Sequence, residues 1–411
     1  MNKYCSPRFI KLINAVTPPD KFLSNTNSVQ ITKPPPQLTN GSVWDELSKA
    51  VWNKFLTNQQ TKETYERKLN LWKSLYVYLK TVYPRYSLFM VGSTMSGFGS
   101  NTSDIDMCLI VKQSEMEQRS EALYHLSHVM NLFNEFGQFS QNIHVSIHPQ
   151  NAMLPISDFF TNIELIHAKV PILKFKSVTD ELDVDLSCNN TVGVRNTHLL
   201  YCYANYDWRV RPLVVLVKLW AQWHDINSAR NTTLSSYSLA LMVIHFLQTR
   251  QPAVLPVLQR TNASLFAAHI DPSHIDFHAQ LVRSASSTAT GAAADNQQPI
   301  GQLLVDLFNY YQHFDYRRYA ISVRQGCCVP IEECRKVRTS KNEPHHWKYL
   351  CIEEPFDLTN TARSVNNPES FDKIRNVIHQ TSLALNATGT LDSIFRLDLG
   401  NGWIHPHTTN R

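Results

Sequence analysis

The sequence predicts an α/β domain with a mixed sheet, joined to a mainly helical domain, as two lobes around a cleft. Three observations lead to this prediction. Short strand-like segments lie between residues 87 and 188, helix-length amphipathic segments lie on both sides of them, and the sequence pattern becomes mainly helical near residue 191. A chain of 411 residues is long enough for two or three domains with sizeable cores.

The N-terminal part of the chain predicts a flexible leader followed by helices. Residues 1–42 are rich in Pro, Asn, Ser and Thr, a composition that is typical of a flexible segment. Next come "SVWDELSKAVWNKF" and "ETYERKLNLWKSLYVYLKTVYP", whose apolar residues recur at helical spacing, as in Tyr65, Leu69 and Trp72.

Strands and a helix then alternate, and together they define the predicted domain 63–190. "SLFMVGS" and "IDMCLIV" are predicted strands separated by a glycine-containing turn. A helix near 115–135 precedes three more predicted strands, "NIHVSIHPQ", "KVPILKFKSV" and "DELDVDLSC". This order of elements favours an α/β domain with a mixed sheet.

The remaining chain predicts a helical domain built from residues 43–62 and 191–380. Its predicted helices are "NTHLLYCYANYDW", "PLVVLVKLWAQWHDI" and "SLALMVIHFLQ". Ordered chain is expected again from "IGQLLVDLFNYYQHF", followed by the strand-like "YAISVRQ". The low-complexity residues 283–299 predict a disordered insertion, and residues 381–411 predict a C-terminal tail.

Composition excludes some classes of protein and leaves others open. The net charge of +5, from 39 basic and 34 acidic residues, permits a polyanionic partner without demanding one. No apolar stretch approaches the ~20 residues of a membrane span, so no membrane partner is expected. Eight cysteines without CxxC spacing predict reduced thiols, a cytoplasmic location and no zinc site.

Two carboxylates open a strand that is otherwise apolar, in "SDIDMCLIV". Asp104 and Asp106 are two residues apart, so a strand places both side chains on one face. Neighbouring carboxylates repel unless a cation neutralises them, and hard oxygen ligands suit Mg²⁺ or Mn²⁺. A DxD pair alone is more often a solvated turn, because Asp is common in turns.

Further residues of the sequence favour a metal-dependent phosphate site over a solvated turn. "DVDLS" offers Asp183 and Asp185 as a third carboxylate on a later strand. Gly92 and Ser93 end the first strand, where backbone N–H groups and a hydroxyl can hold phosphates. The turn is neither a P-loop nor a Rossmann fingerprint, because the lysine and the glycine spacing are missing.

The pattern of GS, DxD and a later Asp resembles the nucleotidyltransferases of the DNA polymerase β type. More narrowly, residues 60–380 resemble the cytoplasmic poly(A) RNA polymerases of the germline-development type. The resemblance rests on "VGSTMSGFGSNTSDIDMCLIV", "VPILKFK", "DVDLSCNNTVGVRNTHLL", "RVRPLVVLVKLWAQWHDIN", "TLSSYSLALMVIHFLQ" and "EEPFDLTNTAR", which keep their order. It implies a catalytic domain and a helical central domain with a PAP-associated segment at about 300–361.

The resemblance implies that three aspartates, Asp104, Asp106 and Asp185, hold two metal ions. Asp185 is preferred to Asp183 because it directly precedes the shared "LSCNN" phrase. The implied reaction is attack of an RNA 3′-hydroxyl on the α-phosphate of ATP, with Mg²⁺ or Mn²⁺ neutralising charge.

The resemblance also implies contacts to the nucleotide. Asn196 and Thr197 are expected near the ribose, and Lys218 near a triphosphate oxygen. The family often has a second lysine four residues later, where this chain has Gln222. Ser236 and Tyr237 are expected at phosphate and base. Singly, these residues can also be a surface lysine, a helix cap or core.

The phrase "IEEPFDLTNTA" bears on base choice. Uridylyl relatives carry a histidine three residues after an acid of this phrase, and counted from Asp357 that position is Asn360. The asparagine favours ATP, with a uridylyltransferase as the open alternative. A catalytically silent RNA or protein scaffold is disfavoured by the three retained carboxylates, and a small-molecule nucleotidyltransferase by "EEPFDLTNTAR".

The expected partners are the RNA 3′ end, ATP and an RNA-binding adaptor protein. No RNA-recognition motif, zinc knuckle or KH loop is visible in the sequence. Weak intrinsic RNA binding is therefore predicted, with an adaptor that delivers the message.

Overall fold

The computed structural model describes residues 30–111, 118–140, 160–282, 296–339 and 341–397. The predicted strand at 142–150 and most of the predicted leader lie outside these residues. The helices are α1 Asp45–Asn58, α2 Lys62–Val82, α3 Ser93–Ser96, α4 Gln118–Ser140, α5 Thr191–Tyr206, α6 Val210–Trp223, α7 Ser236–Gln248, α8 Leu258–Thr261, α9 Ile300–Gln312, α10 Ile331–Lys336 and α11 Pro368–Thr388. The strands are β1 Tyr86–Val91, β2 Ile105–Val111, β3 Phe160–Ile166, β4 Ile172–Ser177, β5 Asp183–Cys188, β6 Tyr319–Ser322, β7 Cys327–Pro330 and β8 Ile352–Glu353. Short 3₁₀ helices lie at Pro36–Leu38, Ala229–Asn231, Pro272–His274, Pro344–His346 and Leu391–Phe395.

The chain divides into two compact units. The described part of the first unit consists mainly of Gln60–Tyr201, with the short segment Asp271–His278. The second unit contains Ile31–Gln59, Cys202–Ile270 and the described residues from Ala279 onward. The domain limits given by the sequence remain predictions.

The first unit contains a five-stranded mixed sheet in the order β1-β2-β5-β4-β3. Strand β2 is antiparallel to β1 and parallel to β5, and β4 is antiparallel to both β5 and β3. The predicted mixed sheet is therefore confirmed. Sequence patterning missed β3, because its register shifts between Thr161 and Glu164 and Asn162 has a positive φ. This irregularity breaks the alternation by which a strand is recognised.

In the first unit, two amphipathic helices, α2 and α4, pack against this sheet. Helix α2 begins after Thr61, whose side chain accepts a hydrogen bond from the Thr64 N–H, and it packs against β1. Helix α4 packs against β3, β4 and β5. Phe133 of α4 meets Phe160 and Phe175 of the sheet with ring centroids 4.9–5.2 Å apart.

The second unit is mainly helical, as predicted, and also contains a three-stranded sheet in the order β7-β6-β8. Helix α7 begins after Ser235, whose hydroxyl accepts from the Ser238 N–H. Of the predicted insertion 283–299, residues 283–295 lie outside the described residues. Asn296 near its end is buried and accepts a hydrogen bond from Arg209.

Two simpler expectations can also be compared with the structure. The seven cysteines among the described residues are free thiols, as predicted. Within the same part of the chain, no helix has both the length and the apolar character that a membrane crossing would need.

Candidate active site

The three predicted aspartates lie on neighbouring strands of the first unit. In the parallel pairing of β2 with β5, Asp106 lies directly opposite Asp185. Asp104 precedes β2 by one residue, two residues from Asp106. Asp183, the alternative to Asp185, has Lys176 of β4 as its cross-strand partner. The register therefore pairs Asp185, rather than Asp183, with Asp106.

A lysine that sequence reasoning missed lies among these carboxylates. Lys174 of β4 is paired in register with Asp185. Its Nζ lies 3.0 Å from Asp185 Oδ1 and 3.4 Å from Asp104 Oδ2. The signal was present in "VPILKFK", where Lys174 lies between the buried residues Leu173 and Phe175 and so faces the same way as Asp185.

The electrostatics of this group suit a cation. Partial burial acts to lower the pKa of Lys174, but hydrogen bonds and charge from Asp185 and Asp104 outweigh it and raise the pKa. The side chain of Asp104 is 45% exposed and that of Asp185 is 22% exposed, so solvent reaches both carboxylates. Oxygen donors that already surround one positive charge form a donor set that fits a divalent metal ion.

Gly92 holds the strand end against Asp106. Its φ of +73° and ψ of −151° lie in a region that is essentially restricted to glycine. A Cβ at this position would lie 2.7 Å from Asp106 Cγ. Glycine is therefore required both for the backbone conformation and for the close approach of the Asp106 carboxylate.

Thr197 links this turn to helix α5. The Gly92 N–H donates to Thr197 Oγ1 over 2.9 Å, and that hydroxyl donates to Gly193 O over 2.7 Å. Thr197 is buried. The Gly92 N–H and the Thr197 hydroxyl are thus already paired with each other in this structure, and their direct contacts to the nucleotide stay a prediction.

Two other predicted contacts of the first unit remain available. Oδ1 of Asn196 is buried and has no hydrogen-bond partner among the described residues. Ser93 is half-buried and begins α3 directly after Gly92. An unpaired buried amide oxygen is unfavourable, so it favours a ligand group at this position.

The second unit carries Lys218, Ser236 and Tyr237. Lys218 is half-buried on α6. Ser236 is the first residue of α7, and its hydroxyl donates to Asn227 Oδ1 over 3.0 Å. The first-turn N–H groups of a helix have no intrahelical partner, so a phosphate contact by Ser236 would use its backbone.

Tyr237 is bound to the "IEEPFDLTNTA" phrase. Its hydroxyl donates to Glu354 Oε1 over 3.1 Å. Burial, and then the Glu354 carboxylate, raise the pKa of Tyr237 well above its usual value. The phenol therefore stays protonated, and the hydrogen bond sets the direction of its ring.

Asn360 differs most from its predicted role. It is 2% exposed, and its Oδ1 accepts hydrogen bonds from the Ile352 and Ala362 N–H groups. Its Nδ2 donates to the His346 and Leu350 carbonyls, each over 2.9 Å. An asparagine amide forms about four such bonds. In this structure the amide of Asn360 therefore holds its loop through backbone groups, and a contact of Asn360 with the base stays a prediction.

A GS turn beside a mixed sheet with three carboxylates on adjacent strands is the arrangement of the nucleotidyltransferase fold. Comparison with known proteins agrees with it. Residues 47–205 match the family described as "Poly(A) RNA polymerase, mitochondrial-like, central palm domain", and residues 299–360 match "Cid1 family poly A polymerase".

Individual relatives are similar over most of the chain. The Drosophila melanogaster "Poly(A) RNA polymerase gld-2 homolog A" is 42% identical over 92% of this chain and 26% of that protein. The Mus musculus "Poly(A) RNA polymerase GLD2" is 35% identical over 88% of this chain and 69% of that protein. The solved structure of a GLD-2/RNP-8 complex has a TM-score of 0.69 and 33% identity, covering 87% of this chain and 99% of that one.

The chain belongs to the GLD-2 family of poly(A) RNA polymerases, as the sequence predicted. It spans about a quarter of the length of the Drosophila relative and about two thirds of the mouse one.

Proposed function

We propose that this chain is a template-independent polynucleotide adenylyltransferase, which adds AMP from ATP to the 3′ end of RNA in the cytoplasm. The observation that carries the proposal is the pairing of Asp106 with Asp185, with Asp104 beside them. Membership of the GLD-2 family supports ATP as the substrate and RNA as the acceptor.

We propose that Asp104, Asp106 and Asp185 hold Mg²⁺ or Mn²⁺. When bound, such ions neutralise the triphosphate and lower the pKa of the attacking hydroxyl. The protein's own contribution is to fix the carboxylates by strand register and to keep Gly92 beneath Asp106. Lys174 supplies a positive charge next to the same carboxylates, where it favours an approaching triphosphate.

The remaining residues are proposed to orient the nucleotide. Asn196 offers its unpaired amide oxygen to the ribose, and Ser93 its hydroxyl to a phosphate. Lys218 and the first turn of α7 at Ser236 are proposed phosphate contacts, and Tyr237 is a proposed stacking surface for the base. Positioning of this kind accounts for much of the barrier lowering in phosphoryl transfer.

An RNA-binding adaptor is the proposed partner. The related GLD-2 chain was solved in complex with RNP-8. The sequence of this chain has only a mild positive charge, consistent with weak RNA binding of its own.

Primer extension tests the proposal. The purified chain is given a short labelled RNA, Mg²⁺ or Mn²⁺, and each NTP in turn, beside Asp106→Ala. Extension with ATP that is lost in Asp106→Ala is the expected result. Extension with UTP in preference to ATP would overturn the assignment of ATP as the substrate. If RNA at high concentration is not extended in the presence of either metal, the proposal that the isolated chain is active would be wrong.

A further inference from the structure

A lysine lies at the centre of the apolar face of α2. Lys68 is 0% exposed, between the buried residues Tyr65 and Trp72 on the same helical face. An ammonium group inside a protein is strongly unfavourable unless oxygen atoms replace its water. The presence of Lys68 in the core therefore requires an explanation.

The explanation lies in the segment Gly92–Asp104, which joins β1 to β2. The Lys68 Nζ donates to Ser103 O over 2.7 Å and to Thr94 Oγ1 over 3.4 Å. Ser103 is the residue before Asp104, and Thr94 follows the GS pair. One ammonium thus binds the segment near both of its ends.

Gln60 completes this arrangement. Its Oε1 accepts from Lys68 Nζ over 3.0 Å, and its N–H donates to Gly99 O over 2.9 Å. Gln60 is 3% exposed, and Thr94 is 2% exposed. The three oxygen atoms therefore bind the ammonium where water is largely excluded, so these hydrogen bonds are stronger than they would be at the surface.

We infer that Lys68 is a positioning residue that sets the backbone of the Gly92–Asp104 segment and, through Ser103, the place of the Asp104 carboxylate. The inference rests on the metal site of the proposed function, whereas its main measurement does not depend on the proposed reaction. Groups behind a metal ligand commonly change metal affinity or activity by about 10–100-fold when they are removed.

The test compares Lys68→Met with Trp72→Phe in the full chain. Methionine fills similar volume without donors. Trp72 lies one turn further along α2 and is equally buried, and its Nε1 donates to Leu88 O over 3.2 Å, on β1 rather than on the Gly92–Asp104 segment. Both variants remove buried hydrogen bonds of α2, so both are expected to lower the melting temperature. Only Lys68→Met removes the hydrogen bonds to the Gly92–Asp104 segment.

The main readout is thermal stabilisation of the protein by increasing Mg²⁺ or Mn²⁺, which requires no catalysis. We expect Lys68→Met to raise the metal concentration for half of the stabilisation by about tenfold, and Trp72→Phe to leave it unchanged. Lys68→Arg, which keeps the charge and donors, is expected to recover part of the shift. The metal concentration that gives half-maximal RNA extension is expected to rise most in Lys68→Met, less in Lys68→Arg and not in Trp72→Phe.

Equal metal midpoints for Lys68→Met and the unchanged protein would overturn the inference, as would an equal shift in Trp72→Phe. If Lys68→Met does not fold, Gln60→Met is tested instead, because it removes one oxygen acceptor of the Lys68 ammonium. This variant must then also raise the metal concentration that gives half of the stabilisation. If the unchanged chain extends no RNA, the proposed function fails, while the stabilisation by metal still decides the role of Lys68.

Discussion

Two polar regions of this protein differ in how far the fold already satisfies their hydrogen-bonding groups. At the strand ends of the first unit, Asp104 and Asp185 share one lysine and stay partly exposed. In the "IEEPFDLTNTA" phrase of the second unit, Asn360 is buried and all of its amide capacity is bound by backbone groups. The first arrangement can accept a ligand, whereas the second stabilises a loop.

Glutamates of the same phrase follow the second pattern. Glu353 is 3% exposed and binds the Arg324 guanidinium through both of its oxygen atoms, at 2.6 and 3.2 Å. Glu354 accepts from the Phe356 N–H and from the Tyr237 hydroxyl. The lesson is that a polar motif indicates function only when its donors and acceptors are not already satisfied by the fold.

The largest expected effect is a difference in the rate of RNA extension between variants of Asp185 and Asp183. Asp185→Asn should reduce the initial rate of RNA extension by more than about a hundredfold, because even groups behind a metal ligand are worth about 10–100-fold. Asp183→Asn, on the same strand but opposite Lys176, should change the rate little. Initial rates at saturating ATP check this prediction, and equal losses in the two variants would contradict the assignment from strand register.

A smaller effect is expected at the turn beneath Asp106. Gly92→Ala should reduce the extension rate by about tenfold or more and lower stability by about 1–3 kcal/mol, because the backbone is strained and the new Cβ displaces the Asp106 carboxylate. Gly389→Ala is the control, since Gly389 also has a positive φ but no atom lies within 4 Å of its Cβ position. Chemical denaturation and initial rates give both numbers. Full activity in Gly92→Ala would show that Asp106 tolerates displacement.

The smallest effect on activity is expected in the buried loop. Asn360→Ala should lower stability by about 2–4 kcal/mol, since it leaves several buried backbone groups unpaired. It should not change the ratio of ATP to UTP incorporation in the remaining folded enzyme. The exposed Asn366 provides a matched control as Asn366→Ala. A changed base ratio with unchanged stability would restore the base-reading role of Asn360.

Much of the fold could be predicted because its elements have regular periods. Helices α2 and α7 and strands β2, β4 and β5 all carry the expected apolar spacing, and the structure contains each of them. Strand β3 escaped prediction because its register shift and the positive φ of Asn162 disturb the two-residue repeat. A period can be recognised only where the local geometry is regular.

The candidate site was predicted in part for a related reason. Asp104 and Asp106 share a face because they are two residues apart on extended chain. Lys174 and Lys68 were missed, although each interrupts an apolar pattern, since the partners of a charged side chain in a core are decided by segments far away along the chain.

By itself, the sequence determined the family and the α/β and helical classes of the two regions, and it predicted a set of candidate acidic residues, because these depend on local order and spacing. Only the tertiary structure decided that Asp185 rather than Asp183 faces Asp106, and that Thr197 and Asn360 are bound by backbone. It also placed a buried lysine behind the strand connection. Strand register and hydrogen-bond saturation arise between segments distant in sequence, so no local pattern encodes them.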